Sequence, residues 1–212
     1  MSKRSEMGPR KRRIGASRSE VDHAKTVWQP GTMLSPVPVV MITTADAEGR
    51  GNIATVAWAG TVCSEPPMLS ISLRPERYTY ELLKASGEFV VNVPAAHQVR
   101  WVDYCGVVSG RDVDKFARTG LTAGACREVG CPLILECPLN LECKVQQEVE
   151  LCTHTMFLAA IVAVQVSSRF VTASGRLALE NAGLAAYAHG AYYMLGKRIG
   201  HFGFSVKRRE VE

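Results

Sequence analysis

Hydrophobic and polar positions along this chain alternate in short runs, and most of those runs predict strands. Residues 37–44 are rich in β-branched side chains and end in the polar stretch 45–51, a hairpin signal. A second run, residues 53–62, follows at once and is broken by Pro66 and Pro67. Residues 68–73 alternate as a half-buried strand does. A short helix is predicted over 79–85, with Thr79 as its N-cap, Leu82 and Leu83 facing inward, and Gly87 closing it. Residues 88–93 form another strand, stopped by Pro94. Val99, Val102 and Tyr104 recur about once per turn, which predicts a helix within 97–106. Residues 110–120 are polar and predict a loop. Residues 133–166 predict strands with polar interruptions, and 177–190 a short helix before Tyr192 and Tyr193. Many short strands and few helices argue for a β-barrel or sandwich with helical decorations, not a parallel α/β sheet.

Composition narrows the class. With 212 residues, 47% of them hydrophobic and 21% charged, the chain can bury the core of one domain. That balance excludes wholesale disorder and a disulfide mini-protein. The longest apolar run, residues 156–164, is far below the roughly 20 residues a spanning helix needs, so no membrane association is expected. The net charge of +5 is unevenly placed: residues 1–18 hold seven basic side chains against Glu6 alone, while the rest holds 18 basic and 19 acidic residues. The expected organisation is a basic, solvated tail over 1–28 and one domain over 29–212. Binding to nucleic acid is not expected of a body so evenly charged. No apolar segment follows Arg12 and Arg13, so an export signal is not expected. Seven cysteines without a C-x-x-C pair fit free thiols in a reducing cytoplasm. The even spacing of Cys131, Cys137 and Cys143 puts them on one face of a strand; packing explains it better than a metal.

Two features bear on chemistry. Gly49-x-Gly51-x-x-Ala54 fits the dinucleotide fingerprint after a strand, but it needs a helix next, and residues 53–58 can be drawn as helix or strand. No alternating strand–helix series follows. Signatures of serine hydrolases, zinc proteases and P-loop enzymes are missing. Arg77 and Thr79, at the start of the short helix, can form a phosphate cradle with the helix N-terminus, or else be a solvated arginine and a simple cap.

Taken in order, the segments Pro38-Val-Val-Met-Ile-Thr-Thr44, Gly51-Asn-Ile-Ala-Thr-Val-Ala-Trp-Ala-Gly60, Glu65-Pro-Pro-Met-Leu-Ser-Ile-Ser72, Arg77-x-Thr79 and Glu88-Phe-Val-Val-Asn-Val-Pro94 resemble the flavin reductase-like domain family. Within it they are most similar to the flavoredoxin-type branch. Asp114-Lys-Phe116, Cys131-Pro-Leu-Ile-Leu-Glu-Cys137 and residues 195–204 extend the resemblance over about 37–206. The resemblance implies a mainly β fold: an FMN-binding split β-barrel of Greek-key type with a few peripheral helices, assembled as a homodimer. It implies that Asn52, Ala54 and Thr55 lie along the flavin and that Arg77 and Thr79 hold its phosphate. Trp58, Lys115 and His154 are implied at the same site; Lys115 and His154 are candidates for a catalytic part, and no metal is implied. The activity implied is that of an FMN-dependent oxidoreductase. Electrons would pass from a reduced donor, with NAD(P)H as candidate, to a small-molecule or protein redox partner. The alternative is a non-catalytic FMN-binding electron carrier or regulatory protein. Nothing in the sequence requires Cys63 or Cys105 to lie near the flavin.

Overall fold

The computed structural model describes residues 24–206. The basic stretch 1–18, with the tail expected of it, lies outside those residues. Residues 24–32 carry no helix or strand, and the unit that holds the fold starts at Met33.

Twelve strands and three α-helices are present among the described residues: β1 (Val37–Pro38), β2 (Val40–Ala45), β3 (Gly51–Val56), β4 (Ala59–Cys63), β5 (Met68–Leu73), α1 (Tyr78–Ser86), β6 (Glu88–Val93), α2 (Val99–Val107), α3 (Lys115–Thr119), β7 (Ala123–Gly124), β8 (Leu133–Ile134), β9 (Leu139–Glu150), β10 (Thr155–Val166), β11 (Ala185–Ala188) and β12 (Ala191–Met194). Seven of the strands form one sheet in the order β3-β2-β6-β9-β10-β5-β4, antiparallel at every pairing. Its two edge strands, β3 and β4, are consecutive in the chain and joined only through Ala57 and Trp58. A flat seven-stranded sheet would hold those edges about 29 Å apart, at close to 4.8 Å per step. A two-residue link cannot span that distance, so the sheet must curl until its edges meet. At the seam the Ser72 N–H donates to the Trp58 carbonyl (2.9 Å). This is a split β-barrel: curled round, but without a ladder between β3 and β4.

The barrel interior holds Val40, Ile42, Val56, Ile71, Phe89 and Phe157, and Leu83 of α1 plugs one end with Tyr80 set edge-on to Phe157. The outer face of β2 and β3 is buried as well. Val39, Met41 and Ile53 pack on Val102 and Cys105 of α2. Burial on both faces explains why Val39, Val40, Met41 and Ile42 form an unbroken apolar run.

The structure departs from the sequence pattern in five places. The run 53–62 is two strands on opposite edges of the sheet, because the seam turns at Ala57 and Trp58. The polar loop 110–120 contains α3, since Asp114 caps it by accepting the Ala117 N–H (3.0 Å). Residues 177–190 form only a single 3₁₀ turn (Leu179–Asn181) before β11. Thr79 is not the cap of α1: Arg77 takes that place without a side-chain bond, and Thr79 is buried inside the first turn. Cys131, Cys137 and Cys143 do not share a strand face; they are buried in three separate apolar clusters. The glycine fingerprint resolves as a hairpin. Gly49 sits at φ +78° in the β2–β3 turn, where the left-handed backbone suits glycine, and Gly51 opens a strand, not a helix.

Candidate functional site

A cleft of about 600 Å³ opens where the end of β3, the β5–α1 connection, the end of α2 and the segment 108–111 converge. Its walls come from elements far apart in sequence, each turned inward for a local reason. Strand β3 is an edge strand, so one side of its backbone is unpaired by the ladder. The Ile53 carbonyl lies on that side, since it accepts from Lys115 instead of from β2 (2.6 Å). Period-two alternation puts the Thr55 N–H on the same open side. The Thr55 hydroxyl is spent elsewhere, on the Val102 carbonyl, which ties β3 to α2.

Helix α1 points its N-terminus at the cleft, with Arg74, Arg77, Tyr78 and Thr79 all on the lining. The first N–H groups of a helix have no partner within it, and its dipole favours an anion there. Arg111 comes in from the other side. Its guanidinium lies over the Tyr78 ring (5.3 Å), donates to the Glu76 carbonyl (3.2 Å) and pairs with Glu81.

Lys115, the first residue of α3, which Asp114 caps, also lines the cleft. It is only 4% exposed, and Nζ donates to the Ile53 carbonyl and to the Cys105 carbonyl (2.9 Å). An ammonium has three donors, so one is left for the cleft that Lys115 lines. Burial lowers its pKa; the neighbouring Cys105 opposes that shift and the charge of Arg77 adds to it. Burial in turn pushes the Cys105 thiol up to about 11, against the pull of Lys115, so Cys105 is a thiol and not a thiolate near neutrality.

Asn52 completes the group. It is 5% exposed, and its Nδ2 donates to the Thr79 hydroxyl (2.8 Å), while its Oδ1 has no partner. That oxygen stands against Gly110, where a Cβ would come within 1.9 Å of it. Only glycine allows the backbone so close.

Of the residues singled out in the sequence, Ala54, Thr55, Arg77, Thr79 and Lys115 line this one cleft, and Asn52 joins it through Thr79. Trp58 lies at the barrel seam, 38% exposed and off the lining. His154 sits in the β9–β10 turn, its Nδ1 paired with the Thr153 hydroxyl (2.9 Å), and is also off the lining. Tyr78, Gly110 and Arg111 escaped the sequence pattern. A glycine followed by an arginine in a polar stretch carries no signal of its own until the loop is folded against Asn52.

Comparisons with known proteins agree with the fold. Residues 32–195 match the family described as "Flavin reductase like domain". The solved structure of flavoredoxin from Desulfovibrio vulgaris (Miyazaki F) is 32% identical, covers 87% of this chain and all of its own, and superposes with a TM-score of 0.81. Flavoredoxin from Methanosarcina acetivorans is 27% identical, with 85% of this chain and 97% of its own covered and a TM-score of 0.78. An uncharacterised protein of Archaeoglobus fulgidus is 36% identical over 57% of this chain and 68% of its own length. Two further curated relatives are matched over 59% and 51% of their lengths.

Proposed function

The chain belongs to the flavin reductase-like domain family, and from that premise we propose that the cleft beside α1 holds FMN and that the protein is an FMN-dependent oxidoreductase. The observation that carries this reading is the convergence, in one cleft, of the α1 N-terminus, Arg77 and Thr79 with the open edge of β3 and Lys115. The residues present fit the group. Cationic and N–H donors at α1 suit a phosphate, and the buried, unpartnered Oδ1 of Asn52, held beside Thr79, wants an O–H donor such as a ribityl chain carries.

Bound there, the flavin supplies reversible one- and two-electron chemistry. The chain's own residues would do the rest. Arg77 and the first turn of α1 hold the phosphate. The Thr55 N–H and the third proton of Lys115 meet the negative charge that reduction places on the ring. Lys115 also fixes the Ile53 and Cys105 carbonyls, which keeps the β3 edge and α2 at a set separation. Trp58 and His154 enter this reading only through a second subunit or a change at the seam.

A homodimer belongs to the same proposal. Trp58, Val62, Val162 and Val164 leave large apolar surface exposed on the β4–β10 side, and Phe202 and Phe204 do so near the end of the described chain. Sedimentation should show twice the 23.1 kDa chain mass, and a stable flavin-loaded monomer would refute it. NAD(P)H is the proposed donor, with a small-molecule or protein acceptor. The likeness to two flavoredoxins supports a second reading, a carrier that keeps its FMN between partners. FMN that survives gel filtration favours the carrier; FMN lost there with NADH-driven turnover favours the reductase.

The visible spectrum of the purified chain tests the core of this reading: flavin bands with about one FMN per chain are expected. Arg77→Ala should weaken FMN binding by roughly 10- to 100-fold while leaving riboflavin, which has no phosphate, within about twofold. Equal loss for both ligands would place the phosphate elsewhere.

A further inference from the structure

A separate cleft, of about 590 Å³, lies between α2 and the C-terminal end of α3, within the roughly 300–1,000 Å³ of small-molecule sites. None of the residues assigned to the flavin lines it. Part of its lining is apolar. Trp101 and Tyr104 pack on the core outside β2 and β3 and are only partly covered, and Val107, 73% exposed, and Val108 extend that surface.

The charged part of the lining has no counterpart within the chain. Arg100 and Arg118 are both exposed, and among the described residues neither guanidinium makes an ion pair. Arg50, Arg74, Arg111 and Arg176, by contrast, are each paired with a carboxylate. Both unpaired arginines have an aspartate one helical turn away, and both aspartates are engaged elsewhere. Asp103, three residues after Arg100, accepts from the Tyr192 hydroxyl (3.0 Å). Asp114, four residues before Arg118, accepts the Ala117 N–H (3.0 Å) as the cap of α3. Arg100 also stands in the first turn of α2, where the helix dipole disfavours a cation. Two guanidiniums without counter-ions therefore border one cleft with aromatic walls.

We propose that this cleft binds an aromatic carboxylate, with Arg100 and Arg118 holding the carboxylate and Trp101 and Tyr104 flanking the ring. A guanidinium fork matches a planar carboxylate, and aromatic side chains favour a flat partner in offset or edge-on contact. The charge balance selects a monoanion. Asp103 also lines the cleft, so two cations and one anion leave a net +1, too little for a polyphosphate. The Thr119 hydroxyl, which a phosphate would use, donates to the Lys115 carbonyl (2.6 Å). The site stands independently of the flavin reading.

The test titrates the full-length chain as purified, by calorimetry, with naphthoate and with its uncharged counterpart naphthalenemethanol. Naphthoate should bind at least about 10-fold more tightly than the alcohol. Arg100→Gln and Arg118→Gln should each weaken naphthoate by about 10-fold and leave the alcohol within about 2-fold. Trp101→Leu should weaken both probes by about 5-fold. The two arginine variants replace exposed side chains and keep the test decisive should Trp101→Leu, which touches the core, fail to fold. Equal affinity for the two probes would reduce the cleft to an apolar surface and overturn the proposal. So would the absence of any naphthoate binding at millimolar concentration, or binding that survives Arg100→Gln and Arg118→Gln together. Naphthoate that shifts the flavin absorption bands, or is displaced by added FMN, would lie in the cleft beside α1 and equally overturn it. A chain that binds no flavin would end the proposed function and leave this inference to be decided by the arginine variants.

Discussion

Two buried polar clusters lie on either side of β2, and they are finished to different degrees. On the β6–β9 side Asn92 donates to the Met41 carbonyl (2.9 Å) and the Thr43 hydroxyl (3.0 Å), and accepts from the Ile134 N–H (2.8 Å) and Asn140 (2.7 Å). On the outer side of β9, Glu142 accepts from the main-chain N–H groups of Arg127 (3.0 Å) and Glu128 (2.7 Å) and from Gln165 (2.7 Å). Each of these groups is satisfied within the chain. On the β3 side Asn52 leaves its Oδ1 without a partner, and Lys115 is buried on two carbonyls with no carboxylate beside it among the described residues. A buried unsatisfied acceptor and a buried unpaired ammonium both cost stability. The first cluster is built to hold the fold; the second carries that cost beside a cleft, where a ligand can offset it.

The sharpest way to break this contrast is to make one substitution on both sides. Asn92→Ala strands the Ile134 N–H and the Asn140 amide, and should cost about 3 kcal/mol in urea unfolding while native molecules keep their flavin affinity. Glu142→Gln should come next, at about 2 kcal/mol, because an amide faces N–H donors where a carboxylate accepted from all of them. A pH series sharpens that point. Burial would raise the Glu142 pKa, but the bonds from Gln165, Glu128, Arg127 and Val129 outweigh it and the pKa is lowered. A carboxylate lowered on folding stabilises above its unfolded value, near 4.5, and loses that contribution as pH falls through the folded value. Glu142→Gln should therefore flatten the acid limb of stability against pH, and an unchanged limb would refute the assignment. Asn52→Ala should have the smallest effect on stability, within about 1 kcal/mol, since it removes one hydrogen bond together with an orphaned acceptor. Its consequence should appear instead as a several-fold loss of flavin affinity. Equal destabilisation by Asn52→Ala and Asn92→Ala would erase the distinction between the two clusters.

Much of the barrel is legible from local pattern. Met68–Leu73 emerges with the bounds its alternation predicts, because a half-buried strand writes its period into the chain, and Glu88–Val93, buried on both faces, emerges as a short apolar run stopped by Pro94. Leu82 and Leu83 of α1 face inward as their spacing requires. The site is legible differently: Arg77, Thr79 and Lys115 stand out mainly through resemblance, since a single arginine or lysine has no period. Arg111 and Gly110 leave no trace in the pattern, for they matter only where a loop returns to Asn52, 58 residues earlier in the case of Gly110.

The split between the two levels is clearest at Trp58. Residues 53–62 read as one β-prone run, part of which could also be drawn as helix, and only together with the other segments of the chain do they determine a family and a mainly β fold. That the run breaks at Ala57 and Trp58, with its halves on opposite edges of one sheet, was decided by closure, since a twisted antiparallel sheet with a two-residue link between its edges has to curl. The sequence likewise determined which polar residues exist and which local elements carry them. Which of those residues ended satisfied, and which were left facing a cleft, depended on contacts between segments tens of residues apart, and no local pattern encodes those.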